Sequence, residues 1–148
     1  MKDARKPLRV MIADDDPDDQ WLITDALKAA NIAHQVVFVS DGVELMDYLH
    51  QKGQYSNPQA YPRPDLILLD LNMPRKDGRE ALCEIKSDPV LRRIPVVIFT
   101  TSQSAEDVAQ CYDLGGNAYV VKPHSFAGLV QVLKTLDEHW CNTARLAS

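Results

Sequence analysis

Short apolar runs alternate with longer segments in which apolar residues recur at helical spacing, from one end of the chain to the other. Such alternation marks repeated βα units built on a parallel sheet. The runs predict strands near 8–13, 34–39, 65–70, 95–100 and 118–122. A first helix follows the first strand, capped by Asp16 or Asp18 with Pro17 in its first turn, running to about Ala30. Its apolar stripe is expected to be Trp21, Leu22, Ala26, Leu27 and Ala30. Asp41-Gly42 opens a second helix, whose stripe is Val43, Leu45, Met46 and Leu49 and which ends near His50. Further helices are predicted near 78–87, 104–114 and 125–140. Gly115-Gly116-Asn117 supplies residues tolerant of positive φ where the fourth helix must stop. The fifth carries Phe126, Leu129, Val130, Leu133, Leu136 and Trp140 at near-heptad intervals, a stripe that packs on the sheet and leaves apolar surface for an interface. The pattern breaks between Gln51 and Pro64, where Gly53, Asn57, Pro58, Pro62 and Pro64 predict a long loop.

Composition narrows the class. The chain of 148 residues suits one domain, and its net charge of -5 argues against a nucleic-acid-binding surface. Cys83, Cys111 and Cys141 are odd in number and lack the spacing of a zinc site or disulfide framework, so they read as reduced, partly buried thiols of a cytoplasmic protein. The basic start, Met1-Lys2-Asp3-Ala4-Arg5-Lys6, runs into a short strand, and no apolar stretch is long enough for a membrane span, so neither export nor membrane insertion is expected.

The chemistry lies where strands end. Asp70 closes Leu66-Ile67-Leu68-Leu69; Val10-Met11-Ile12-Ala13 ends in Asp14-Asp15-Asp16; Val96-Val97-Ile98-Phe99 ends in Thr100; Tyr119-Val120-Val121 ends in Lys122-Pro123. If the strands are parallel neighbours, these acids, hydroxyl and ammonium meet on one sheet edge. An aspartate can accept a phosphoryl group when a divalent cation neutralises the incoming charge and donors hold the equatorial oxygens. Asp14, Asp15 and Asp70 offer the oxygens that Mg²⁺ prefers, with the backbone carbonyl of Asn72 well placed to add another. Thr100 and Lys122 are the donors, thirty and fifty-two residues after Asp70. The set is that of a phosphoryl-transfer site.

These residues resemble the receiver domain of two-component response regulators over nearly the whole chain. The resemblance implies a flavodoxin-like α/β fold, a doubly wound five-stranded parallel sheet of order 2-1-3-4-5 with five helices, as a single receiver domain over 1–148 without an output domain. By position, Asp70 corresponds to the phosphoacceptor, Asp14 and Asp15 to the acidic metal ligands, and Asn72 to the contributor of a carbonyl ligand. Thr100 corresponds to the switch hydroxyl, Lys122 to the phosphate-binding lysine and Tyr119 to the aromatic switch. Pro74 and Asp77-Gly78 match the turn after the phosphoacceptor, and Lys122-Pro123 resembles a bond that is typically cis in the family. Counting from Ile12-Ala13 makes Asp14 and Asp15 the metal pair and leaves Asp16 as a helix cap.

Pro74-Arg75-Lys76-Asp77-Gly78-Arg79-Glu80, Ile85-Lys86-Ser87-Asp88-Pro89, Arg92-Arg93-Ile94-Pro95 and Thr100-Thr101-Ser102, with the long loop, are similar to single-domain regulators associated with phytochrome-type histidine kinases. The implied function is phosphoryl transfer from a sensor histidine kinase onto Asp70, with Mg²⁺ as cofactor and Mn²⁺ able to substitute. Output then passes through a protein partner, through homodimerisation or through withdrawal of phosphate from a kinase, with neither nucleic acid nor membrane as partner. A metal-dependent phosphohydrolase with an aspartyl-phosphate intermediate is the competing class. Enzymes resembling the haloacid dehalogenase family carry a second acid two residues after the nucleophile, where this chain has Asn72.

Overall fold

The computed structural model describes residues 8–143. Five strands, β1 (Arg9–Ala13), β2 (Gln35–Val39), β3 (Leu66–Leu69), β4 (Val96–Thr100) and β5 (Ala118–Val121), form one parallel sheet in the order β2-β1-β3-β4-β5. Helices α1 (Pro17–Ala29), α2 (Gly42–Leu49), α3 (Gly78–Ser87), α4 (Ala105–Asp113) and α5 (Phe126–Asp137) connect and follow them. The expected α/β fold and strand order are therefore observed.

Every residue of β3 and β4 is buried, because helices cover both faces of a parallel sheet. Alternate side chains feed two cores. Ile67, Leu69, Val96 and Ile98 pack with α2, α3 and Cys111 of α4 on one face, while Leu66, Leu68, Val97 and Phe99 pack with Ile23, Ala26, Leu129 and Leu133 of α1 and α5 on the other. The register aligns Ala13 with Leu69 and Leu69 with Ile98, so β1, β3 and β4 end side by side.

The helix starts follow from local chemistry. Asp16 caps α1 by accepting from the Asp18 amide, with Pro17 at the first helical position, and Asp41 caps α2 through the Glu44 amide. Asp77 and Glu80 form a reciprocal capping box at α3. Gly78, next in line, has no substitute: a Cβ there would collide with the Asp70 carbonyl, so only glycine lets α3 start this close to the end of β3. Gly115, at φ 100°, turns the chain out of α4 toward β5.

Four expectations need correction. The inward face of α1 is set by Ile23 and Ala26, whereas Trp21 is 70% and Leu22 42% exposed. The stripe expected from helical spacing includes Ala26 but is rotated toward Trp21 and Leu22, whereas Asp19, Ile23 and Ala26 are the residues that share the sheet-facing phase. The last helix is not α-helical to Trp140: after Asp137 it widens into a π-helical turn, Glu138–Thr143. Lys122–Pro123 is trans, the geometry that an X–Pro bond favours by about 0.5–1 kcal/mol. Among the cysteines, Cys111 is buried in the core but Cys83 is exposed, and the Cys141 side chain lies outside the described part.

The long loop has internal order that its composition hides. It contains a 3-10 turn, Gly53–Tyr55, and its Tyr55 and Tyr61 rings pack on Tyr48 of α2 with centroids 4.9 and 6.0 Å away. The Tyr55 hydroxyl donates to Glu44 at 2.6 Å and Tyr48 to the Pro62 carbonyl at 3.0 Å, pinning the loop to α2. No helix among the described residues is long and apolar enough to cross a membrane.

Candidate phosphoryl-accepting site

The ends of β1 and β3 are tied together by the backbone. The Asp70 amide donates to the Ala13 carbonyl at 3.0 Å, and the Asp14 amide donates to Val39 of β2 at 3.0 Å. These bonds place Asp14, Asp15 and Asp70 in one cluster, with one carboxylate oxygen from each within 4.8 Å of the others. Their burial is graded: Asp14 is buried, Asp70 half-buried and Asp15 exposed. Three hard oxygen donors open to solvent on one side suit a divalent cation such as Mg²⁺, which keeps several waters when bound by one or two carboxylates. Asn72 stands two residues beyond Asp70, on the exposed loop.

Lys122 reaches this cluster from the end of β5. Its amide donates to the Thr100 carbonyl at 2.7 Å, and its ammonium bonds Asp14 at 2.6 Å, Asp70 at 3.0 Å and Asp19 at 3.0 Å. An ammonium has three N–H groups, and all three are committed. Burial alone would lower the Lys122 pKa, but the hydrogen bond to Asp14, the charge of Asp70 and the bond to Asp19 reverse the sign and hold it above the ordinary lysine range. Burial likewise pushes the Asp14 carboxyl up, and Lys122 with the Asp16 amide pulls against it. The Phe99 ring lies 6.0 Å from the ammonium.

Asp70 has both oxygens occupied. One accepts from the Leu71 amide at 2.7 Å and the other from Lys122. Thr100 is fully buried at the end of β4, and its hydroxyl finds no partner among the described residues. An unsatisfied buried hydroxyl costs about 1–3 kcal/mol, so this one is poised to gain from an acceptor brought to it. Tyr119 is half-buried; its hydroxyl donates to the Ser102 carbonyl at 3.0 Å, and burial raises its pKa. The Ser102 segment is also braced by Asp107, which accepts from Ser102 and from Arg79, each at 2.6 Å.

The loop after Asp70 is held under local strain. Arg75 sits at φ 65°, a conformation uncommon for a residue with a Cβ, while its guanidinium grips both carboxylate oxygens of Asp41 at 2.8–2.9 Å. The site is thus bounded by α2 on one side. On the other, a groove of about 410 Å³ runs from Lys122 and Asp19 past Leu22 and Phe99 to Phe126 and Leu129.

Sequence reasoning named Asp14, Asp15, Asp70 and Lys122, and the structure brings them together. Thr100 lies at the adjoining strand end, with Tyr119 beyond it. Asp19 was missed, because an acid in a helix's first turn reads as a partner for the helix dipole. Its spacing from Ile23 and Ala26, four and seven residues on, was the available signal that it faces inward.

The model for the response regulator receiver domain matches residues 10–134. Response regulator Rcp1 from Synechocystis sp. is 41% identical over 147 residues, covering 99% of this chain and 98% of Rcp1. The crystal structure of the phosphorylated cyanobacterial phytochrome response regulator RcpA superposes with a TM-score of 0.89 at 47% identity, covering 97% of this chain and all of RcpA. The Mn²⁺-bound form of Rcp1 superposes at 0.86 with 40% identity, covering 96% and 100% of the two chains.

Proposed function

The chain belongs to the response regulator receiver domain family, and from that premise we propose that Asp70 accepts a phosphoryl group from a phosphohistidine of a sensor histidine kinase. A carboxylate oxygen of Asp70 forms the new P–O bond as the N–P bond breaks, and the electron pair stays on the imidazole nitrogen, which takes up a proton. Asp14, Asp15 and Asp70, with the Asn72 carbonyl, would hold a divalent cation. When bound, that ion neutralises charge on the transferring group. The chain's own residues do the rest: Lys122 gives a cationic donor to the phosphoryl oxygens, and Thr100 gives its unpartnered hydroxyl. The chain catalyses this transfer and its own slow dephosphorylation.

The observation that carries the reading is the meeting of three carboxylates and the Lys122 ammonium at one sheet edge. Support also comes from RcpA, which is described in its phosphorylated form, and from Rcp1, which binds Mn²⁺. RcpA is a cyanobacterial phytochrome response regulator, so the kinase is read as phytochrome-type, and the regulator is read as cytoplasmic. Movement of Thr100 toward the phosphoryl group shifts a two-state equilibrium in which Tyr119 leaves the Ser102 carbonyl and turns inward. A second copy of the chain is one expected partner of the shifted state.

Transfer from a radiolabelled, autophosphorylated phytochrome-type kinase tests the reading. Label is expected to move to the regulator within the kinase's own lifetime, in a Mg²⁺-dependent manner. Steady turnover of unrelated phosphate esters, without transfer, would instead favour a phosphohydrolase. Sedimentation with and without beryllofluoride tests the dimer, and a monomer in both states would remove it.

A further inference from the structure

Lys122 is fully committed, and one of its three partners has no part in holding a cation or a phosphoryl group. Asp14 and Asp70 belong to the carboxylate cluster. Asp19 does not: it reaches Lys122 from the first turn of α1, at 3.0 Å, and its side chain is 34% exposed where Asp14 is 2% and Asp70 12%. A phosphoryl group on Asp70 needs a donor from Lys122, and none is spare. The bond to Asp70 weakens as that carboxylate loses its charge, but a phosphoryl group presents several anionic oxygens to the ammonium, so a second bond is contested. Asp14 is buried and stays among the cation-holding carboxylates, whereas Asp19 can turn to solvent at little cost.

We infer that Asp19 is a positioning residue that parks the Lys122 ammonium in the unphosphorylated state and competes with the phosphoryl group for it. The inference rests on Asp70 being the phosphoacceptor and adds a residue that sets how readily the site fills. Asp19 also repels the incoming anion, in the same direction. Its neighbour Asp18 supplies the internal comparison. It carries the same charge in the same helical turn but is exposed, and its backbone amide donates to Asp16.

The test is beryllofluoride affinity in the presence of Mg²⁺, read by fluorine NMR on the full chain. Asp19→Asn removes the charge and keeps the shape, and is expected to tighten binding about three- to fivefold, the worth of a half-exposed ion pair. Asp19→Glu restores the pairing and is expected to return binding to within about twofold of wild type. Asp18→Asn loses the same favourable helix-dipole contact and is expected to leave affinity unchanged. Unchanged or weaker binding by Asp19→Asn would overturn the inference, and so would an equal effect from Asp18→Asn, which would reduce it to bulk charge. A wild-type chain that fails to bind beryllofluoride at all would instead refute the phosphoacceptor reading on which it stands.

Discussion

The two edges of the sheet carry polar clusters of opposite design. At the edge where β1, β3 and β4 end, one ammonium serves three carboxylates, and a buried hydroxyl beside them finds no partner among the described residues. At the other edge, His34 joins the start of β1 to the end of α5. The Leu8 amide donates to its Nδ1 at 2.9 Å, so its Nε2–H donates to Asp137 at 2.6 Å. Every ring nitrogen is satisfied there, beside an apolar cavity of about 30 Å³ lined by Val10, Leu66 and Leu133. One edge is a finished clasp. The other is a charge cluster with unequal numbers and unmet demand, which a new anion can rearrange.

Breaking the cluster has the largest expected effect. Lys122→Met leaves buried Asp14 facing Asp70 with no cation between them, so urea unfolding without divalent metal is expected to show a loss of about 3–5 kcal/mol. Mg²⁺ should return part of it, since the carboxylates that would hold the ion remain. A loss of under 1 kcal/mol, or indifference to Mg²⁺, would show that the two edges do not differ as described.

His34→Ala at the opposite edge is expected to cost about 1–2 kcal/mol, the worth of its two hydrogen bonds, and to leave beryllofluoride affinity unchanged. An altered affinity would show that the clasp is coupled to the site.

Thr100→Val sharpens the contrast because its sign is unusual. Removing the unpartnered hydroxyl should stabilise the unphosphorylated chain by about 1 kcal/mol in thermal or urea unfolding while weakening beryllofluoride binding. Destabilisation would mean that the hydroxyl already has a partner.

The smallest effect lies at the Ser102–Asp107–Arg79 contacts beside the site. The Ser102 hydroxyl, then Arg79, hold Asp107 below the ordinary carboxylate pKa. Its folded pKa is therefore depressed, and its contribution is complete above the unfolded value of 3.8 and fades as pH falls below it. Acid titrations of wild type and Asp107→Asn are expected to differ in stability near neutrality and converge at low pH; a constant gap would count against the ion pair.

Much of this was legible beforehand, for physical reasons that can be named. β3 is apolar throughout and β4 is apolar up to Thr100, as strands buried on both faces must be, and so the strand ends and the chemistry at them could be located together. What was lost depended on helix phase and on distance across the fold. Helical spacing places Trp21 and Leu22 inside, but α1 is oriented by Ile23 and by the Asp19–Lys122 bond, which links residues 103 apart in sequence. No periodicity reports such a bond. The tyrosine packing in the long loop was hidden likewise, because three rings separated by prolines and polar residues form a cluster only when the loop folds back on α2.

The central claim is that the unequal edge exists to take a phosphoryl group at Asp70. Intact-mass spectra of wild type and Asp70→Asn, after incubation with Mg²⁺ and acetyl phosphate, test it most directly. The account predicts one added phosphoryl group on the wild type, lost on hydroxylamine treatment as an acyl phosphate must be, and none on Asp70→Asn. An unmodified wild type, or equal modification of the two proteins, would contradict it.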